Sequence, residues 1–307
     1  MITAHLTGNM GNHISQMAIT RVIAYLKGYT FGFDKPTHDD CNGMNQIYFM
    51  NVDIGQPVQG IVNTFEERWD FYNGINISCF DKRVYDIANN TCLIGHNGAY
   101  GGLYQSEQYY RPYRDKMLQW FSINQDYANV YESIMKEKGI ILDDSTCVIN
   151  FRGSHHYRGQ PDVLLRKEYW KDAVRQMRQV NNVRKFICIT DDVELAAEYM
   201  PEPMPVIHVD IGFDYYVVNK AQWLIISNSS FGYWAAWLNE NVKMTIAPKH
   251  WAHHNVSTTY WALGDQYNSR FTYLDRSGNL IDYDTCKMEA VDFYKTNHLL
   301  PQLYETA

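Results

Sequence analysis

The chain has 307 residues, of which 46% are hydrophobic and 15% aromatic. This composition supplies packed cores and excludes a wholly disordered chain, and the length favours two domains, since one domain typically holds about 100–200 residues. A formal net charge of −7 at pH 7 argues against general binding to nucleic acid, whose phosphates attract basic surfaces. Any anion site is therefore expected to be local.

No stretch of the sequence reaches the roughly 20 apolar residues that a membrane-spanning helix needs. The first residues carry neither the basic segment nor the apolar core of a signal peptide. We therefore expect a cytoplasmic protein with at most peripheral membrane contact. The 6 cysteines are scattered without a Cys-x-x-Cys pair, which indicates free thiols rather than a zinc or redox site.

The first half of the chain opens with a β-turn-α pattern, because apolar residues recur at helical spacing after a short apolar strand. The predicted elements are a strand over 2–6, a turn over 7–12, a helix ending at Gly28, a strand over 29–33, short strands and loops over 34–113, and helices around 114–122 and 127–138. This alternation is typical of an α/β lobe.

The second half alternates more regularly between buried apolar runs and amphipathic stretches. Strands are predicted over 146–151, 185–190, 205–209, 223–227 and, as the last one, 243–246; helices are predicted over 168–180, 193–199, 215–221, 231–238 and 288–299. Repeated βαβ units predict a mostly parallel sheet with helices on both faces. The predicted lobes are 1–142 and 143–307, with the last helix able to pack back on the first lobe.

In doubly wound sheets, ligands lie beyond the carboxyl ends of the strands, so the residues after each predicted strand are the candidate site residues. The first such turn contains Gly8, Gly11, Asn12 and His13, where glycine permits a tight turn and the next helix offers unpaired N–H groups. It lacks the spacing of the dinucleotide-binding fingerprint, so a plain strand-to-helix turn is an equal alternative.

Arg152 follows the strand over 146–151, and its rigid fork of N–H donors suits phosphate oxygens. A structural ion pair is an equal alternative for this arginine. His155 and His156 come next and are more simply explained as solvated loop residues. A metal pair is not expected, because no carboxylate or further histidine has suitable ligand spacing with them.

Three acids follow the next strands. Asp191 and Asp192 could accept hydrogen bonds from ribose hydroxyls or from a guanine edge, although helix capping by Asp192 would explain one of the two. Asp214 begins the helix before the next strand, and a cap is the alternative for it as well.

A cluster of hydroxyl and amide side chains lies at the junction after the strand over 223–227, where side-chain and backbone donors could bind phosphate together. Its members are Ser227, Asn228, Ser229, Ser230 and Phe231. The whole segment 227–238 resembles the Ser-Asn-Ser-Thr-Phe-Ser-Trp-Trp-Ala-Ala-Tyr-Leu signature of the α-1,2-fucosyltransferases, glycosyltransferase family 11.

Five further segments resemble this family in order. Gly8–Ala18 is similar to its opening Gly-x-x-Gly-Asn-Gln-x-x-Gln-x-Ala, with His13 in place of the first glutamine; Thr190–Asp192 matches its Ser-Asp-Asp, Asp214 its acid before the serine-rich block, and Pro248–Trp251 its Pro-x-x-Trp. Asn150-Phe151-Arg152 resembles the start of His-x-Arg-Arg-Gly-Asp-Tyr, with asparagine for the histidine and without the second arginine.

The resemblance implies a GT-B architecture, in which two Rossmann-like lobes enclose a cleft, the C-terminal lobe holds a GDP-sugar donor and the other faces a glycan acceptor. It implies inverting transfer of L-fucose from GDP-β-L-fucose, in α-1,2 linkage, with neither a metal nor another cofactor. Another nucleotide-linked sugar as donor, and a catalytically silent sugar- or nucleotide-binding module, are the alternatives.

On this interpretation Arg152, Ser229, Ser230 and the helix that begins near Phe231 stabilise the negative charge that develops on GDP. His13, His155 and Asp34 are the candidate general bases, and His13 is preferred because it lies on the first turn facing the expected cleft. An ordinary loop position is the alternative for each. The sequence indicates no oligomeric state.

Overall fold

The computed structural model describes residues 1–34, 46–72, 75–94, 103–180, 182–256 and 267–301. These residues form two compact units. The first holds the described parts of Met1–Ser122, Ala262–Tyr267 and Lys287–Ala307, and the second those of Ile123–Trp261 and Asn268–Cys286. The lobe limits 1–142 and 143–307 stay a prediction, since a compact unit is not by itself a separately folding domain. The cleft between lobes also stays a prediction.

In its described part, the first unit contains a parallel sheet of four strands in the order β2-β1-β6-β3. The strands are β1 (Ile2–His5), β2 (Phe31–Asp34), β3 (Asn63–Glu66) and β6 (Thr91–Ile94). Helix α1 (Met10–Lys27) connects β1 to β2 and ends at Gly28, whose φ of 63° is left-handed, as predicted from the glycine. The strand-turn-helix prediction for the start of the chain is therefore confirmed.

The described remainder of the first unit consists of short elements, as predicted for 34–113. They are the antiparallel hairpin β4 (Trp69–Tyr72) and β5 (Ile75–Ser78), three short 3₁₀ turns within 82–113, helix α2 (Arg114–Trp120), and the part of α9 (Tyr283–Thr296) that begins at Lys287. The ring of Phe293 in α9 packs edge-on against Tyr72, with centroids 5.4 Å apart, and the Tyr72 hydroxyl donates to Asn297 Oδ1 at 3.2 Å.

The described part of the second unit is built on a sheet of seven strands in the order β13-β12-β11-β10-β7-β8-β9, parallel except for β13. The strands are β7 (Thr146–Phe151), β8 (Lys185–Thr190), β9 (Val206–Ile207), β10 (Trp223–Ile226), β11 (Met244–Pro248), β12 (Thr272–Leu274) and β13 (Leu280–Ile281). All residues of β7 are buried, because helices cover both faces of a parallel sheet. The α/β fold class is confirmed.

Six helices of the second unit lie within the described ranges, together with the start of α9. They are α3 (Gln125–Glu137), α4 (His155–Arg158), α5 (Lys167–Val180), α6 (Val193–Tyr199), α7 (Ile211–Lys220) and α8 (Ser230–Trp237). The four-residue α4 was expected to be loop. Its single turn lies too close to a strand end to show any helical periodicity.

The prediction that 243–246 forms the last strand is wrong. β12 continues the parallel sheet from β11, with Ile246 opposite Thr272, and β13 closes the edge in the antiparallel direction. These strands have three and two residues, too few for an alternating pattern to be visible in the sequence. None of the five described cysteines forms a disulfide, as predicted, and Cys41 lies outside the described residues.

Candidate functional site

The carboxyl ends of three neighbouring parallel strands bring the predicted donor-binding residues to one edge of the second unit. β10 and β8 flank β7, with Ile226 opposite Asn150 and Thr190 opposite Phe151. The three loops that follow, here called the carboxyl edge, contain 152–154, 191–192 and 227–229. Because neighbouring strands lie about 4.8 Å apart, these loops together span about 10 Å.

Arg152 is held at this edge by Asp191. Its Nη1 lies 2.5 Å from Asp191 Oδ2, and the other carboxylate oxygen accepts the N–H of Gly153 at 2.8 Å. The guanidinium carbon lies 5.7 Å from the centre of the Tyr157 ring. The structural ion pair considered as an alternative is thus present, and it occupies one nitrogen of the Arg152 guanidinium group. The Arg152 side chain remains 24% exposed at the strand end, so an anion can approach its other N–H groups.

Asp192 makes both the capping contact expected of it and an ion pair that the sequence did not indicate. It accepts the N–H of Leu195 at 3.1 Å as the N-cap of α6. Arg158 donates two hydrogen bonds to the same carboxylate, with Nε 2.5 Å from Oδ2 and Nη2 2.6 Å from Oδ1. The hydrogen bond from Arg158 holds the pKa of Asp192 below its ordinary value.

Arg158 was missed because the segment after Arg152 was interpreted as a loop. Only the turn of α4 brings the side chain back to the loop after β8. The sequence does show a second arginine six residues after Arg152, and this spacing is the pattern that could have indicated Arg158 as a further residue of the edge.

The serine-rich junction forms the third loop of the edge. Ser229 caps α8 by accepting the N–H of Phe231 at 3.3 Å, and Ser230 is the first residue of that helix. The Ser227 N–H donates to the Asn150 carbonyl at 3.0 Å, which ties this loop to the end of β7. The remaining N–H groups of the first turn of an α-helix have no partner within the helix, so they can bind an anion.

Among the buried oxygens of this edge that have no hydrogen-bond partner in the described part of the chain are Asn150 Oδ1, Ser227 Oγ and Asn228 Oδ1. The three side chains are at most 5% exposed. Buried polar groups are normally hydrogen-bonded. A group of them at the carboxyl edge of a parallel sheet is therefore typical of a binding site for a polar ligand.

Asp214 does not cap its helix, so that alternative is wrong; Asp210 is the N-cap of α7 and accepts the Phe213 N–H at 2.8 Å. Asp214 is instead buried against His208, with Oδ2 2.6 Å from Nδ1. Burial raises the pKa of Asp214 to about 6, and the hydrogen bond raises the pKa of His208. His208 follows β9, next to β8, and was missed because its partner is not visible in the sequence.

The predicted residues of the first unit lie at the start of α1. Gly11 is buried, and the Asn12 side chain accepts a hydrogen bond from Gln105 Nε2 at 2.7 Å. His13 is only 1% exposed, in contrast to the accessible turn position expected for a base. The side chains of His155 and Asp34 lie outside the described residues, so the choice of base stays a prediction.

Among the described residues, no cluster of three or more His, Cys, Asp or Glu has the arrangement of a metal site. Within the same ranges, no helix is both long enough and apolar enough to cross a membrane. The Pro248–Trp251 segment begins at the last residue of β11, the strand beside β10, and so lies at the carboxyl end of the strand next to the serine-rich junction.

The family model for glycosyl transferase family 11 matches residues 85–275. The O-antigen biosynthesis glycosyltransferase WbnK of Escherichia coli is 24% identical over 184 residues, which cover 56% of this chain and 61% of that protein. The chain thus spans less than two thirds of this relative. An alpha-1,2-colitosyltransferase of Escherichia coli is 25% identical over 282 residues, which cover 82% of this chain and 92% of that protein.

A solved structure of the fucosyltransferase NodZ from Bradyrhizobium superposes with a TM-score of 0.45 and 13% identity, covering 91% of this chain and 97% of that one. The family assignment does not depend on this likeness, because the family model alone spans more than half of the 307 residues and includes all three loops of the carboxyl edge. The chain therefore belongs to glycosyltransferase family 11.

Proposed function

We propose that this chain is an inverting glycosyltransferase that moves L-fucose from GDP-β-L-fucose to a hydroxyl group of a glycan, in α-1,2 linkage. One observation carries the proposal. Arg152 and the N-terminus of α8 follow the neighbouring parallel strands β7 and β10, so a guanidinium and the first turn of a helix lie at the same edge. Both are anion-binding groups, and a diphosphate can span them.

In this reaction the bond between the anomeric carbon and the phosphate oxygen breaks, and its electron pair goes to the diphosphate. The acceptor hydroxyl attacks from the opposite face, which inverts a β-linked donor into an α-linked product. Arg152, Ser229 and the first N–H groups of α8 stabilise the negative charge on the leaving diphosphate. The acceptor proton passes to a base, for which His13, His155 and Asp34 remain the candidates.

We assign the nucleotide to Asp191, at the carboxyl edge, and to Asp214, in α7, because carboxylate oxygens accept hydrogen bonds. Guanine presents neighbouring N–H donors on one edge, whereas uracil presents a single N–H between two carbonyls. Asp192, Asn228 and Ser227 complete the donor-binding residues that we propose in the second unit. Donor binding by Gly11 and Asn12 stays a prediction from the sequence.

A second candidate is the transfer of colitose from a nucleotide-activated donor. The relative named as a colitosyltransferase aligns with 82% of this chain, and its name gives the same α-1,2 linkage. Recognition of the diphosphate would be the same for both sugars. The name of WbnK, an O-antigen biosynthesis enzyme, supports a glycan as the acceptor.

The test has two stages. Thermal shifts are measured with GDP, UDP and CMP, and we expect stabilisation by GDP alone, whereas equal shifts would contradict the nucleotide assignment. Activated fucose, colitose and other nucleotide sugars are then offered with a panel of glycans, and products are identified by mass and linkage. An α-1,2-fucoside is the expected product. GDP binding without transfer or donor hydrolysis would indicate a silent binding module instead.

A further inference from the structure

Helix α4 spans the carboxyl edge and is fixed on both sides. On one side the Tyr157 hydroxyl donates to the Asn228 carbonyl at 3.1 Å, in the loop after β10. On the other side Arg158 donates two hydrogen bonds to Asp192, in the loop after β8. Because β10 and β8 flank β7, this single turn holds Arg158 at the same edge as Arg152.

The position directly after Arg152 has no room for a side chain. A Cβ atom on Gly153 would lie 2.6 Å from a ring carbon of Phe151 and 3.0 Å from Cβ of Asp192. Contacts this close force the backbone or its neighbours to move. A second positive charge can therefore reach this part of the edge only from elsewhere in the chain, and Arg158 comes back to the same aspartate.

Arg158 also neutralises the negative charge that Asp192 brings to the edge. Arg152 is matched by Asp191, and Arg158 by Asp192, so the two pairs together are neutral. Asp192 engages Nε and Nη2 of Arg158, and the arginine side chain is still 48% exposed. A guanidinium carries five N–H donors in a rigid plane, so this fork fixes its orientation and leaves further donors for a second anion.

We propose that Arg158 is a second diphosphate-binding residue of this chain, oriented by Asp192 and presented by α4. The inference rests on the proposed function, because it takes the diphosphate of the donor as the ligand. Arg158 contributes affinity for the phosphates and none for the base or ribose. A residue that only braced α4 would instead affect all ligands of the edge alike.

Isothermal titration with GDP and with guanosine, at low and high salt, tests the proposal. We expect R158Q to raise the Kd for GDP about 10- to 100-fold, the range for one lost charged hydrogen-bonding group, and to leave the Kd for guanosine unchanged. GDP binding by R158Q should also depend less on salt, because one charge has been removed.

The matched control is R178Q. Arg178 forms a similar bidentate pair with Glu202, at 2.7 and 2.5 Å, with a side chain that is 42% exposed. It lies on α5, whose C-terminal turn precedes the opposite, amino end of β8. R178Q should bind GDP and guanosine like the wild type.

Each outcome of the GDP and guanosine titrations supports or overturns the role of Arg158 in binding the diphosphate. An equal loss of GDP and guanosine affinity in R158Q, or no loss of either, overturns this inference alone. Wild-type protein that binds no GDP overturns the proposed function and this inference with it. If R158Q does not fold, R158K keeps the charge but loses the two-point contact with Asp192, and a Kd for GDP equal to that of the wild type would contradict the proposed orientation of Arg158 by Asp192.

Discussion

Replacing Arg152 with glutamine removes the positive charge nearest the end of β7 and keeps a polar side chain of similar reach. The fold should tolerate the change. Asp191 keeps its hydrogen bond from the Gly153 N–H, and the side-chain amide of the new glutamine can still donate to the other carboxylate oxygen. We expect the free energy of unfolding to change by about 1 kcal/mol or less, as for ion pairs near a surface.

The reaction should be affected far more than the fold. Loss of one donor that stabilises a developing anion typically lowers kcat about 10²- to 10³-fold, or about 3–4 kcal/mol. Arg152 supplies a full charge at a partly buried strand end, so the upper part of that range applies. R152K should recover only part of the activity, because an ammonium group lacks the fork that a diphosphate and Asp191 engage together.

The assay measures kcat and KM from GDP release with GDP-fucose and an acceptor, beside the melting temperature of each variant. R178Q is the control, since it removes an arginine from a similar ion pair elsewhere in the second unit. A loss of kcat/KM below about threefold in R152Q, with GDP affinity unchanged, is far short of the expected loss. It would refute the assignment of the diphosphate to this edge.

Three further predictions follow from single contacts. G153A should lower the free energy of unfolding by about 1–3 kcal/mol, because its Cβ would lie 2.6 Å from a ring carbon at the end of β7. G159A, whose Cβ would meet nothing within 4 Å, should be nearly neutral in the same urea titration, and equal effects would contradict the steric argument. Burial raises the pKa of Glu67 to about 7, so the folded state holds this proton more tightly than the unfolded state. The protonated Glu67 therefore adds to the free energy of unfolding fully below the ordinary carboxyl pKa, and this contribution is lost as pH rises through about 7. E67Q should flatten the pH dependence of the free energy of unfolding in this range, and an unchanged pH dependence would contradict the assignment to Glu67. D214N should lower the pKa of His208 towards its ordinary value in an NMR titration, because the hydrogen bond from His208 to the carboxylate raises it, whereas an unshifted titration would exclude the pair.

Much of the second unit could be predicted from local pattern. The bounds of β7, β8 and α6 agree with the sequence to the residue, because each strand is an apolar run bounded by polar residues and α6 begins after a capping aspartate. The same reasoning failed for β12 and β13. These strands have three and two residues, too few for a periodic pattern to be visible.

The candidate site divides in the same way. The sequence places Arg152, Asp191 and Ser227 at one edge, because each follows a recognisable strand and parallel strands bring their carboxyl ends together. The sequence does not single out Arg158 or His208, because neither residue type is unusual in a loop. What distinguishes them is the ion pairs that they form with Asp192 and Asp214 in the folded chain.

The sequence by itself determined the family signature, the order of the main strands and the residues at their ends, since apolar runs and helix caps act over a few neighbouring residues. Only the tertiary structure decided which partner each charged side chain takes. Arg158 and Asp192 are 34 positions apart, and the sheet brings them into hydrogen-bond range through the pairing of β7 with β8. Burial decided the state of Asp214, because the pKa of a carboxyl depends on how much water surrounds it.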